Sequence, residues 1–216
     1  MKKILYLLSV LICFSACHSK TSEQSQQPPY FSEGNAELKF YAMDFQDVQE
    51  EADLAVEVLV LKEKEDTPIV TENETTGYGV TKTPVKIIAI LKGDFDFAVD
   101  DEIYVWENYF LRKTQNGKEY YSTLGGYRPM IIGEKYFLFL KENKKEPYKD
   151  GFSIVGAYQG KFAVKDLKQE ISASPDSATN GEKEQPDIEF GENDRERYLK
   201  LLQQARESLK DYLKEE

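Results

Sequence analysis

Beyond His18 the chain contains no cysteine and no histidine; both cysteines, Cys13 and Cys17, and the single histidine fall within the first eighteen residues. That absence removes several chemistries from the body of the protein. A Ser-His-Asp or Cys-His nucleophile system has no imidazole there, and a His- or Cys-ligated zinc site has no ligands. Disulfides cannot staple the fold, so a chain of 216 residues must rely on its own core. Gly125-Gly126 lacks the lysine and spacing of a phosphate loop. Positive charge is also scarce: 28 Lys+Arg stand against 39 Asp+Glu, a net charge of −11. So acidic a chain lacks the basic footprint of a nucleic-acid binder, and it cannot dock on anionic lipid through charge alone.

What the first residues do contain is directional. Met1-Lys2-Lys3 is a short positive segment, and Ile4 to Phe14 is an uncharged, mostly apolar run. A membrane-spanning helix needs about 20 apolar residues, so this run fits the core of an export signal instead. It closes in Phe14-Ser15-Ala16-Cys17, which resembles the lipobox of bacterial lipoproteins, with Phe14 in place of the usual Leu. The resemblance implies cleavage before Cys17 and a diacylglyceryl thioether on its sulfur, giving a lipid anchor on the extracytoplasmic face of the cell membrane. Two acyl chains anchor stably where one does not. The alternative, an ordinary secretory signal with a coincidental cysteine, exports the protein equally.

Composition divides the rest. Residues 1–16 read as the signal and 17–35 as a flexible tether, because "SKTSEQSQQPPYFS" has too few apolar side chains to offset its ordering entropy. Residues 36–171 read as a mainly β domain and 172–192 as a polar, Gly/Pro-punctuated mobile linker. Residues 193–216 read as a helix. Within the domain, "ADLAVEVLVLK" (Ala52 to Lys62) and "TPVKIIAILK" (Thr83 to Lys92) are strands apolar on nearly both faces. "EIYVWENYF", "GEKYFLFLKE" and "GFSIVGAYQGKFAVKD" supply more. Asn116-Gly117, between "YFLRKT" and "EYYST", marks a hairpin, since a type I′ turn needs positive φ at both central residues. "DFQDVQEEA" offers one or two helical turns.

The opening Ala52-Asp53-Leu54-Ala55-Val56, the strand end Ile90-Leu91-Lys92-Gly93, the strand Gly133 to Phe139 and the closing helix resemble a netrin-like or TIMP-like module, a variant of the OB-fold. The resemblance implies an antiparallel OB/netrin-like β-barrel with a C-terminal amphipathic α-helix. TIMPs inhibit metalloproteases by chelating zinc through an N-terminal cysteine held by disulfides. Here Cys17 stands on a long tether with no disulfide to fix it, so that activity is not implied.

In the last segment Asn193 or Asp194 caps the helix start, and Tyr198, Leu202, Ala205, Leu209 and Tyr212 form one apolar stripe, widened by Leu199 and Leu213. Either it packs on the barrel or it pairs with a partner helix. Asp94, Asp96, Asp100, Asp101 and Glu102 crowd one turn without the spacing of a calcium loop, so no metal and no cofactor is expected. Tyr109, Phe110, Tyr120, Tyr121 and Tyr127 are candidate ligand-binding residues, since tyrosine joins an apolar ring to a polar tip and the Asn108–Thr123 hairpin carries four of them. Equally, alternate rings are core and the rest cover strand edges. The function expected is a non-enzymatic envelope module binding a protein or a glycan. The alternatives are a hydrolase working with carboxylates alone and an assembly subunit docking through its last helix.

Overall fold

Two aspartates start the ordered body. The Asp44 side chain accepts from the backbone N–H of Asp47 at 3.1 Å, and the Asp47 carboxylate accepts from the Asp44 N–H at 3.4 Å. This reciprocal capping box fixes a short helix, Phe45–Glu51, where a brief helical hint was expected. The computed structural model describes residues 30–34, 40–62, 64–70, 76–113, 119–124, 127–146, 148–169 and 192–214. The expected signal, Cys17, the Asn116-Gly117 turn and residues 172–191 of the expected 172–192 linker lie outside them.

In chain order the elements are β1 (Tyr30–Gly34), α1 (Phe45–Glu51), β2 (Leu54–Val60), β3 (Glu65–Val70), β4 (Thr76–Lys92), β5 (Glu102–Glu107) and β6 (Tyr109–Lys113). They continue with β7 (Glu119–Leu124), β8 (Lys135–Glu142), β9 (Phe152–Ile154), β10 (Lys161–Ala163), α2 (Val164–Lys168), α3 (Glu192–Leu209) and a 3-10 turn at Tyr212–Lys214. The fold is mainly β.

Five strands close a ring. β2 pairs with β4, β4 with β5, β5 with β9, β9 with β8, and β8 with β2. Five is odd, so strand direction cannot alternate all the way round. The β5–β9 seam is parallel and the other four pairings are antiparallel. The result is a closed OB-like barrel. Its interior is filled by Val56, Val58, Val85, Ile87, Val105, Leu138 and their neighbours, each essentially inaccessible to water. Pro84 sits in mid-β4, where most central strands exclude proline. The register shows why it is tolerated: β2 is leaving β4 at this point, and the Pro84 carbonyl still accepts from Leu61 N–H at 3.1 Å.

β6 and β7 form the expected antiparallel pair, and β1 lies parallel to β7 on its other side. The residues expected to end the tether therefore include a paired strand. Their few apolar side chains gave no strand signal; the backbone ladder to β7 supplies the partner instead. Thr81 Oγ1 donates to the Tyr109 carbonyl at 2.7 Å and ties this small sheet to β4.

The last helix packs on its own chain. Tyr198, Leu201, Leu202, Ala205 and Leu209 are all buried. Tyr198 stacks on Phe162 at 6.3 Å, and Phe45 of α1 meets Phe139 and Phe162 edge-on at 5.0 and 5.5 Å. The Arg206 guanidinium donates to the carbonyls of Leu167 (2.7 Å), Asp166 (3.0 Å) and Gln169, at the end of α2 where carbonyls lack helical partners. The stripe differs from expectation in two places. Leu201 is buried while Leu199 is half-buried, and Tyr212 is exposed in the 3-10 turn because the helix has already ended.

Candidate functional site

The five candidate aromatic residues do not share one surface. Tyr109, Phe110 and Tyr127 are buried, and Tyr120 and Tyr121 are half-buried. Tyr109 lies parallel to Tyr127 at 6.4 Å and meets Tyr121 edge-on at 5.3 Å, so these rings pack on one another. Tyr127 leads to a buried polar cluster. Glu107 is fully buried and accepts from the Thr83 hydroxyl, from Tyr127 OH at 2.7 Å and from Met130 N–H at 2.6 Å. Lys64 lies 3.6 Å from Glu107 and donates to the Met130 carbonyl at 2.5 Å. Burial first, then the charge of Glu107 and the bond to it, hold the Tyr127 phenol well above its ordinary pKa. Beside it the buried Lys161 ammonium lies 4.1 Å from the Tyr127 ring centre and donates to the Arg128 carbonyl. Glu107 thus latches the 127–130 segment and the β2–β3 link to the barrel. With no exposure it cannot reach a substrate.

The acidic turn is local structure. Asp100 pairs with Lys86 at 3.1 Å, and Asp101 accepts from Ala98 N–H at 2.8 Å. Among the described residues no three His, Cys, Asp or Glu side chains are grouped to hold a metal ion.

An open groove lies on the outer face of β4 and β5. Its volume is about 520 Å³, within the range of small-ligand sites. Leu61 and Pro84 contribute apolar surface, Tyr104 an aromatic wall, and Lys62, Lys64, Lys82, Glu65 and Glu102 the charges. The strand period builds it. Residues 83, 85 and 87 of β4 and 103, 105 and 107 of β5 are buried, so the alternate residues, paired Lys82 with Trp106, Pro84 with Tyr104 and Lys86 with Glu102, share the opposite face. The Lys82 ammonium lies 4.2 Å from the Tyr104 ring centre and 5.6 Å from that of Trp106, within cation–π range. Trp106 is fixed from the other side: its Nε1–H donates to the Tyr148 carbonyl at 3.0 Å, and the two rings meet edge-on at 5.2 Å. Gly151 has no room for a side chain there, since a Cβ would lie 2.6 Å from the Tyr104 carbonyl. The loop after β8 and the link between β2 and β4 therefore flank the β4–β5 face, the arrangement through which OB barrels bind their ligands.

Sequence reasoning missed Lys82, Pro84 and Tyr104, and placed Glu102 only in the acidic turn. The available signal was the period-two alternation of outward side chains on β4 and β5, which only becomes specific once the two strands are set in register. No family model matches the chain, and no curated protein or solved structure matches it either.

Proposed function

We propose that this chain is a cell-envelope lipoprotein, held by a diacylglyceryl group on Cys17, whose barrel is a non-enzymatic binding module with its ligand seat in the β4–β5 groove. The observation that carries the reading is Lys82 laid over Tyr104 and Trp106 in a concave site flanked by two loops. Tyr104 keeps 42% of its surface exposed there. An aromatic face beside unspent charges suits a polar ligand that stacks and hydrogen-bonds. The netrin-like resemblance fits the barrel but supplies no ligand.

Hydrolysis by carboxylates is the weaker reading. Glu65 and Glu102 both line the groove, but their strands lie on opposite sides of β4, opposite Lys82 and Lys86. The row of Pro84 and Tyr104 separates them, which disfavours the close pair of a retaining glycosidase, about 5 Å apart. Docking through α3 has less support still, because its apolar stripe is already covered.

Trp106 is the only tryptophan and its ring centre lies 5.6 Å from the ammonium of Lys82, which lines the groove, so its fluorescence reports a change at Lys82. The test is to titrate the full chain, in detergent, with fractionated envelope peptides and glycans. A saturable change that Tyr104→Ala abolishes is expected; no saturable change with any fraction overturns the binding reading. Mass spectrometry of the same material reads the N-terminus, and an unmodified Cys17 thiol overturns the anchor.

A further inference from the structure

Ile131 and Ile132 stand side by side on a turn that the barrel holds in place, and they keep 40% and 48% of their surface exposed. The Ile131 carbonyl accepts from Glu134 N–H at 3.1 Å and Gly133 takes a φ of 84°, as in a type II turn with Ile132 and Gly133 at its tip. The base of the turn is bonded to the barrel. Gly133 N–H donates to the Val60 carbonyl at 2.9 Å, Val60 N–H to that of Glu134 at 3.0 Å, and Ile131 N–H to Tyr136 OH at 3.0 Å. Just before it, Met130 is held by Glu107 and Lys64. A Cβ built on Gly133 would meet no described atom within 4 Å, so the tip projects clear of the body. Gly, Pro, Asn, Asp and Ser dominate turns; here two adjacent β-branched apolar side chains are held out instead.

We propose that this turn is a second membrane contact, its two isoleucines dipping into the interfacial layer of the bilayer to which Cys17 anchors the chain. This rests on the lipid-anchor reading above and adds which end of the barrel faces the lipid. Two observations choose a lipid surface. The first is where the anchored segment enters. β1 belongs to the small sheet, whose β6 continues from the end of β5. β2 and β5 both run antiparallel to β4, so the end of β5 lies at the same end of the barrel as the end of β2, to which the turn is bonded. Thirteen positions separate Cys17 from Tyr30, about 45 Å of chain at full extension, which keeps this end within reach of the membrane. The second is charge. Residues 94–102, at the opposite end, carry five carboxylates, all exposed, and no lysine or arginine. Beside the turn, residues 62–65 and 134–135 carry three lysines and three glutamates. A chain of net charge −11 meets an anionic headgroup layer with less repulsion at its balanced end than at its acidic one. The turn is already fixed, so its insertion costs little ordering.

The test uses the full chain reconstituted in vesicles of phosphatidylcholine with phosphatidylglycerol. Cys13 precedes the expected cut and the Cys17 sulfur carries the diacylglyceryl group, so Ile132→Cys gives one free thiol for a nitroxide label. Val99→Cys, at an exposed apolar residue of the opposite end, gives the control. Collision rates with oxygen and with a nickel chelate read the depth of each label. The label at 132 is expected about 5–10 Å into the headgroup and acyl boundary, the depth of interfacial apolar faces, and the label at 99 in water. Ile131→Ser in the labelled chain should move the 132 label outward, with thermal unfolding unchanged within error. A 132 label in water, or the two labels at equal depth, overturns the contact and leaves the anchor standing. So does a 132 label shielded from both reagents and dipole-coupled to another, which makes a second copy of the chain the occupant. A second label, on an unmodified Cys17 thiol, overturns the anchor and the contact with it.

Discussion

The Gln159 carboxamide pairs with both backbone groups of Ala42, 117 residues away, accepting from its N–H at 2.8 Å and donating to its carbonyl at 3.1 Å. Both residues are fully buried, so the side chain acts as a strand partner for the segment leading into α1. Gln159→Leu keeps the volume and leaves a donor and an acceptor unmet. A loss of about 2–4 kcal/mol is expected from urea unfolding of the full chain. A loss under about 0.5 kcal/mol, the ordinary range for surface substitutions, would mean that the pairing holds nothing together.

Glu107 concentrates more of the fold on one side chain. It receives three hydrogen bonds and faces Lys64. Glu107→Ala is expected to cost about 3–5 kcal/mol, because Lys64 and the donors then lose a shared buried partner. Glu107→Gln, which keeps the shape and one acceptor oxygen, should cost distinctly less. Equal losses for the two variants would show that charge rather than shape governs the site.

Tyr127 sets an alkaline limit. Its phenol has a raised pKa in the folded state, from burial and from Glu107. A raised folded-state value means that its contribution is complete below the unfolded-state value, about 10, and is lost as pH rises through the folded-state value. Stability of the unsubstituted chain should therefore fall above about pH 10. Tyr127→Phe, less stable at neutral pH for want of the bond to Glu107, should lack this component, so the two stability curves converge as pH rises. Parallel curves would contradict the assignment.

Arg206 joins the last helix to α2 through three carbonyls. Arg206→Ala should cost about 1.5–3 kcal/mol, the range for hydrogen bonds to a charged group. Arg206→Lys should recover only part of it, since an ammonium lacks the planar fork. Full recovery in a thermal melt would show that charge alone suffices.

Where a single segment carries its own signal, the sequence was readable. Asp44 and Asp47 cap α1, the apolar run from Leu54 to Val60 is β2, and the stripe from Tyr198 to Leu209 is the buried face of α3. β3 and the first half of β4 were not readable, because Pro68, Gly77 and Gly79 read as breakers. The structure gives Gly79 a reason of its own: the Phe110 ring lies against it, and a Cβ would sit 2.7 Å from that ring. "EIYVWENYF" looked like one strand but divides at Asn108 between the barrel and the smaller sheet. The groove was less visible still. Lys82, Glu102 and Tyr104 are ordinary surface residues in sequence and become neighbours only through the ladder between β4 and β5. Residue type alone marks the five candidate aromatics, and type does not tell which face of a strand points inward.

The backbone N–H of Phe45 donates to Gln204 Oε1 at 3.0 Å across 159 residues. A ribosome makes the first partner long before the second, so throughout synthesis the Phe45–Phe139–Phe162 aromatic cluster waits without the helix that covers it. A chain that has passed Phe162 but not yet reached α3 therefore carries this cluster without its cover, an exposed aromatic surface of the kind that promotes aggregation.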